Sequence, residues 1–285
     1  MDLIYSLSKR LSSKRAFVTG AGSGLGRQFC IELARDGWAI GIADIDGLGL
    51  TETATQITEN GGKSWSFVLN VADQQSYADV VVAFLKLSGG IDLLINNAGV
   101  GDGGLVGEYL LENWHWMVNI NQMGVIYGCH YFLPAMKHQN SGHIINIASA
   151  AAFSNAPAMG AYSMTKAAVL SLSETLHSEL RGTKVRVSVV MPTFFRTNIT
   201  QHRRQAGDDV DMIHKIMDQS PVSANDVARI VLAGAGKEQF YIVLPRLARV
   251  LFFIKRLMPN VFFRLLPLLD KKKEQIKKQL QTKQR

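Results

Sequence analysis

Charged residues are scarce in this chain of 285 residues. They make up 19 % against 47 % hydrophobic, which excludes intrinsic disorder or a coiled coil for the bulk of it and leaves enough apolar material for a substantial core. Cysteine is scarcer still. Cys30 and Cys129 are too few for a disulfide framework or a multi-cysteine zinc site, and they read as core residues in a reducing compartment. No cluster of His, Cys and Asp offers a metal site, so none is expected. A clean membrane span is missing as well. The uncharged stretches Trp116–Met136 and Ile144–Thr165 are long enough, but Asn, Gly and Pro interrupt both, and such groups are costly in lipid. Lys9, Arg10, Lys14 and Arg15 precede no apolar segment of the kind a secretory signal needs. The sequence therefore predicts a cytoplasmic chain.

The positive charge is concentrated at one end. The whole chain carries +8. Residues 241–285 hold 12 Lys/Arg against only Asp270 and Glu274, a net of +10, which leaves −2 for residues 1–240. Nucleic-acid binding by the body is excluded on this ground, because it needs a basic face on the folded domain.

The pattern along residues 14–245 alternates strand and helix. Ala16–Val18 is a short apolar run that ends in Thr19-Gly20-Ala21-Gly22-Ser23-Gly24-Leu25-Gly26. A helical pattern follows through Phe29, Ile31, Leu33 and Ala34, then a strand over Trp38–Ala43, then Asp44. That is the βαβ unit of nucleotide-binding folds. Further strands are predicted over Ser64–Leu69, Ile91–Ile95, Ile144–Ala148, Val185–Met191 and Tyr241–Leu244. Helices are predicted over Leu48–Glu59, Asp73–Leu87, Glu108–Val118, Gln122–Lys137, Ala161–Leu180 and Ala224–Leu232. Seven strands in this alternation predict one doubly wound parallel sheet, a Rossmann-type α/β/α sandwich over residues 1–245, with a basic amphipathic extension over 246–285.

The glycine turn has a physical reading. Gly20 permits a tight turn off the strand, and Gly24 and Gly26 let backbone approach a pyrophosphate. The N–H groups that open the helix then face the phosphates, with Ser23 and Leu25 in the same turn. Asp44 lies 18 residues beyond Gly26, where a carboxylate accepts from a ribose diol and repels a 2′-phosphate. NAD is therefore expected over NADP, with Arg27 the one nearby cation that argues the other way.

Tyr162 and Lys166 stand at i, i+4 at the start of the long helix, on one face of it. A nearby ammonium favours tyrosinate, which predicts a Tyr162 pKa below the usual 10 or so and a phenol fit for proton transfer. Alone, such a pair is also a common surface accident. Here it is accompanied by Asn96-Asn97-Ala98-Gly99, Asn121-Gln122-Met123-Gly124, Ser149, and Pro192 to Thr197, in order and at consistent spacing. Together these residues resemble the short-chain dehydrogenase/reductase family in its single-domain form. The resemblance implies roles. Tyr162 is the general acid/base, Lys166 lowers its pKa and holds the nicotinamide ribose, and Ser149 bonds the reacting oxygen. Asn121 holds a water that relays protons, with Asn119 a near competitor. Asn97 and Thr197 are implied on the cofactor. Two positions depart from the family: Pro192-Thr193 stands for Pro-Gly, and Asn70-Val71 for Asp-Val beside the adenine. The implied activity is reversible hydride transfer at an alcohol or carbonyl carbon, and a homodimer or homotetramer is implied by the helices near 122–137 and 161–180. The alternatives are an NADPH-dependent carbonyl reductase and a non-catalytic dinucleotide-binding scaffold that docks on membranes.

On the substrate side, Phe153, Met159, Phe194 and Phe195 are candidate walls beneath a lid over Thr193–Pro221, and their apolar character suggests a lipophilic alcohol or ketone. The other reading is that they pack the lid itself. Loop Gly101–Gly104 is expected to be mobile. Arg196, Arg203 and Arg204 are read as a solvated face. The extension contains Val250–Met258, an amphipathic pattern broken by Pro259, then Val261–Leu269 and the lysines Lys271–Lys273, Lys277 and Lys278. Aromatics and leucines beside cations suit the interface of an anionic membrane. Packing on the body or on a second subunit, and a frayed solvated end, are the alternatives at this level.

Overall fold

A computed structural model of the chain describes residues 5–193, 195, 199, 204, 220 and 222–264. Its centre is a seven-stranded sheet of β1 (Arg15–Thr19), β2 (Ala39–Asp44), β3 (Lys63–Val68), β4 (Leu93–Asn96), β5 (Gly142–Ile147), β6 (Val185–Pro192) and β7 (Tyr241–Leu244). All pairings are parallel, in the order β3-β2-β1-β4-β5-β6-β7. After β3 the chain crosses back to lay β4 beside β1, so the winding reverses between β1 and β4. The inner strands are apolar on both faces because both are covered; every residue of β5 is buried. The edge strand β3 has only exposed and half-buried residues and begins at Lys63, a charge that discourages edge pairing.

One face carries α1 (Tyr5–Arg10), α2 (Gly24–Arg35), α3 (Gly47–Glu59) and α9 (Ala224–Gly236). Its core gathers Leu7, Phe29, Leu33, Leu50, Ile57 and Val231. The other face carries α4 (Gln74–Ser88), α6 (Gly124–Gln139) and α8 (Gly160–Glu179), and its core includes Phe17, Tyr77, Phe84, Phe132, Val169 and Leu176. Local chemistry sets the helix ends. Asp73 accepts from Ser76 N at 3.0 Å at the start of α4, and Gly89 closes it in the left-handed conformation. Ser223 and Asp226 form a reciprocal capping box on α9.

The structure differs from the sequence prediction in three respects. The two helices foreseen over 108–118 and 122–137 form one continuous run: α5 (Leu111–Val118), a π-helical turn over Asn119–Met123, and α6. A wide turn of this kind leaves no break in the apolar pattern to read. α1 and the short α7 (Ala151–Ser154) were not foreseen; α1 is too short to show periodicity. α10 begins at Arg246, earlier than foreseen, and ends at Leu257. It is docked on the body, with Ala248 and Phe252 inside the second core.

Candidate active site

The carboxyl ends of β1 and β4 lie at the reversal of strand order, and most residues predicted for the site gather there. β1 leads into Gly20, whose φ is +66°. A Cβ at Gly20 would sit 2.8 Å from the Ala98 Cα, and one at Gly26 would collide with the Gly20 carbonyl oxygen. Only glycine fits these two positions, one for the left-handed turn and one for the close approach. Ser23 is the N-cap of α2 but makes no side-chain capping bond, and Leu25 is buried beneath the turn. The first N–H groups of α2 thus have no side-chain acceptor, which is the geometry that receives an anion.

Asp44 closes this cradle. Its Oδ2 accepts from Gly22 N at 2.8 Å and its Oδ1 from Asp46 N at 3.0 Å. A Cβ on Gly22 would sit 3.0 Å from the carboxylate. Sequence reasoning passed over Gly22, although it stood in plain view as a fourth glycine of the run. Arg27 is already partnered. It donates to Glu52 Oε2 at 2.8 Å, to Thr53 Oγ1 at 2.9 Å and to the Gly22 carbonyl. Asn97 acts on the shape of the turn: its Nδ2 donates to the carbonyls of Thr19 at 2.9 Å and Gly20 at 3.1 Å. Thr19 Oγ1, also missed, accepts from the N–H groups of Asn97 and Ala98, each at 3.1 Å. Asn70 is exposed beyond β3, its Oδ1 taking the Ala72 N–H at 3.1 Å, and Val71 is buried against Gly124. Leu69 N donates to Asp44 O at 2.8 Å and so ties that segment to the same edge.

The second half of the site is built on β5 and α8. Tyr162 and Lys166 are both buried, one helical turn apart. Lys166 Nζ lies 5.8 Å from the Tyr162 ring centroid and donates to the Ile147 carbonyl at 2.9 Å. Ile147 ends β5 two residues before Ser149, whose Oγ accepts from Ala151 N at 3.1 Å. Burial pushes the Tyr162 phenol up to about 12, while a hydrogen bond with Ser149 pulls the other way. Burial brings Lys166 down to about 8. The expected lowering of the phenol by the ammonium does not appear: desolvation dominates at both groups, and only the Ser149 bond opposes it at Tyr162.

Asn121 is fully buried on the π-helical turn. Its Oδ1 accepts from Val100 N at 2.8 Å and its Nδ2 donates to Val100 O at 2.8 Å. A Cβ on Gly99 would stand 3.1 Å from Asn121 Oδ1 and 3.5 Å from Lys166 Nζ, so the bare glycine keeps these groups close. Asn119 is exposed, which removes it as a competitor. Thr197 lies outside the described residues, as do Phe194, Arg196 and Arg203.

The apolar surroundings of Tyr162 differ from expectation. Val100, Tyr109, Met117 and Ala161 are buried with it, and Trp114, Trp116, Met159 and Ile199 pack against them. Among the expected walls, Met159 is in this group. Phe153 and Phe195 are not: Phe153 packs on Phe252 with ring centroids 5.3 Å apart, and Phe195 belongs to the core under α2 and α9. Both side chains are drawn to the larger apolar cores. The aromatic-rich stretch 109–116 was the readable signal for these neighbours of Tyr162 and was taken only as helix. Loop 101–104 was expected to be mobile, yet it is pinned by Gly101 N to Ile199 O at 2.9 Å and by Gly104 N to Ala158 O at 2.8 Å. Arg204 lies over the Trp116 ring at 4.6 Å, at the border of this group.

Residues 14–208 match the model of the short chain dehydrogenase family. The chain belongs to this family. It is 29 % identical over 233 residues to a 3-oxoacyl-[acyl-carrier-protein] reductase FabG of Thermotoga maritima, covering 82 % of this chain and 94 % of that protein. It is 34 % identical over 183 residues to the probable oxidoreductase EphD of Mycobacterium tuberculosis, covering 64 % of this chain but 31 % of EphD; the chain spans about a third of that relative's length. A solved short chain dehydrogenase/reductase from Burkholderia phymatum, in complex with NAD, superposes with a TM-score of 0.80 at 31 % identity, covering 87 % of this chain and 96 % of that one. The sheet order and helix layers described above are those of a short-chain dehydrogenase/reductase, an oxidoreductase of the Rossmann type.

Proposed function

We propose that this short-chain dehydrogenase/reductase transfers a hydride reversibly between NAD(H) and the alcohol or carbonyl carbon of a lipophilic substrate. The observation that carries the reading is the convergence of Ser149, Tyr162 and Lys166 with an apolar, aromatic group beside the glycine turn. The residues present fit a dinucleotide: Gly20 and Gly26 form a cradle that a Cβ would fill, and α2 opens without a side-chain cap. Gly20, Ser23, Gly24, Leu25 and Gly26 would hold its pyrophosphate and Asp44 its adenosine ribose. Asn70 and Val71 would flank the adenine, Asn97 would fix the turn, and Tyr162, Lys166 and Thr197 would hold the nicotinamide end. When bound, the dinucleotide supplies or takes up the hydride.

The chain's own part is positioning and proton transfer. A phenol held up at about 12 stays protonated at neutral pH, so Tyr162 gives its proton to a carbonyl oxygen in reduction; in oxidation it first passes that proton through Lys166 to solvent and then, as tyrosinate, takes one from the hydroxyl. Ser149 fixes that oxygen. Lys166 restores the proton, and a water held on the main chain of Asn121 links it to solvent, the side chain being committed to Val100. NAD is favoured over NADP because Asp44 presents a carboxylate to the ribose while Arg27 is held by Glu52 and Thr53. Residues 1–245 form the catalytic domain in this reading, and two or four copies assemble through α6 and α8. The test is turnover across long-chain, cyclic and steroid-like alcohols with NAD and NADP in parallel. Turnover with NAD at ten-fold or greater preference is expected. A preference for NADP would contradict the role of Asp44, and NADH binding without turnover on any alcohol or ketone would favour the scaffold.

A further inference from the structure

Helix α10 is apolar on two opposite sides. One side is used: Ala248 and Phe252 are buried in the second core, and Phe252 lies 5.3 Å from the rings of both Phe153 and Tyr241. Arg256 locks this face by donating to Glu174 at 2.9 Å and to the Tyr241 hydroxyl at 2.7 Å. The opposite side is open. Leu247 is 67 % exposed and Leu257 76 %, with Val250, Phe253 and Met258 also exposed between or beside them. The helix stops at Met258, and a further helical stretch over 259–264 follows it with Val261 and Phe263 exposed. An exposed apolar strip of this length on a docked helix is covered in its working state.

The charge around the strip decides what covers it. Arg246, Arg249, Lys255 and Arg264 border it, Arg256 being paired with Glu174 on the inner face, and no Asp or Glu occurs from residue 239 to residue 269. The lysines Lys271–Lys273, Lys277 and Lys278 follow in the sequence. A second copy docked here by two-fold symmetry would set this basic patch against itself, with no acid to answer it. An anionic bilayer answers both features, taking the apolar side chains at the acyl boundary and the cations at the headgroups. Among the described residues no helix is long and apolar enough to cross a membrane, so the geometry is one of lying on the surface.

We propose that the outer face of α10 and residues 259–264 dock this chain on an anionic membrane surface. α10 leaves the carboxyl end of β7 and packs on α7, which directly follows Ser149. Docking therefore turns the substrate side of the sheet toward the bilayer. If the lipophilic substrate of the preceding section is correct, that substrate is drawn from the bilayer itself; the docking surface does not depend on it.

The experiment is co-sedimentation of the full chain, without substrate, with phosphatidylcholine vesicles and with vesicles carrying phosphatidylglycerol in addition. A double variant Val250→Glu, Leu257→Glu is run beside it, both changes being on exposed positions that leave the body intact. Circular dichroism and light scattering of the variant accompany the assay. The wild type is expected to pellet with anionic vesicles, at least ten-fold less with neutral ones and less at high salt, and the variant at least ten-fold less than wild type. Equal pelleting of a folded variant and wild type would overturn the proposal, as would no pelleting of wild type. A variant that changes from oligomer to monomer, while wild type ignores vesicles, would overturn it in favour of an interface between copies. Turnover is read separately, so loss of the proposed catalytic reading leaves the vesicle result standing.

Discussion

Lys166 is held against its own solvation. A lysine brought from 10.5 to about 8 by burial costs up to ~3 kcal/mol at neutral pH. Lys166→Met should remove that cost and lose the bond to Ile147, for a net gain of about 1 kcal/mol in stability, or a few degrees in Tm. Turnover should fall at least 100-fold in the same variant. The sign can be followed with pH. Between about 8 and 10.5 the unfolded chain binds the extra proton, so wild-type stability rises with pH across that window. The advantage of the Met variant is therefore full below pH 8 and vanishes above about 10.5. Thermal melts of both proteins from pH 6.5 to 11 check this, and a variant less stable at pH 7 would contradict it. The pairing of Tyr162 with Lys166 was legible from its spacing only together with the motifs that accompany it. The pKa order was not, because desolvation depends on how deeply α8 sits against β5, and no spacing encodes depth.

At the scale of elements, the glycine turn and the aromatic core make separate predictions. Gly26→Ala places a methyl against the Gly20 carbonyl. It should loosen NADH binding at least ten-fold in a fluorescence titration and cost about 1–3 kcal/mol in stability. Unchanged binding would refute the cradle. Phe17, Phe84 and Phe132 form a three-ring contact under α4 and α6, with centroids 5.0, 4.9 and 5.9 Å apart. Phe132→Ala should cost about 3–5 kcal/mol in denaturant unfolding and leave the site residues in place. The seven strands were all foreseen, since apolar runs between turn signals mark buried parallel strands plainly. The π-helical turn was hidden, because its wide turn carries no distinct residue signature, yet it is what brings Asn121 to Val100. The walls around Tyr162 were misassigned for a related reason. An aromatic residue advertises burial but not the destination, and Phe153 and Phe195 were claimed by the large cores while Tyr109 and the tryptophans of α5 took the place beside the tyrosine.

The whole molecule combines a near-neutral body with a basic end. The body carries α6 and α8 on the same layer, the faces proposed to pair with further copies. Light scattering of the purified chain should give a dimer or tetramer, and a monomer at micromolar concentration would contradict that assignment. The central claim concerns the reaction, and one paired measurement addresses it most directly. Tyr162→Phe removes one oxygen from a buried site and leaves the ring, the Lys166 bond to Ile147 and the glycine turn intact. Its kcat/KM on an alcohol that the wild type oxidises should fall by about 100- to 10,000-fold, while its Kd for NADH stays within a factor of three of wild type. Turnover equal to wild type, with NADH bound normally, would contradict Tyr162 as the acid/base of this dehydrogenase.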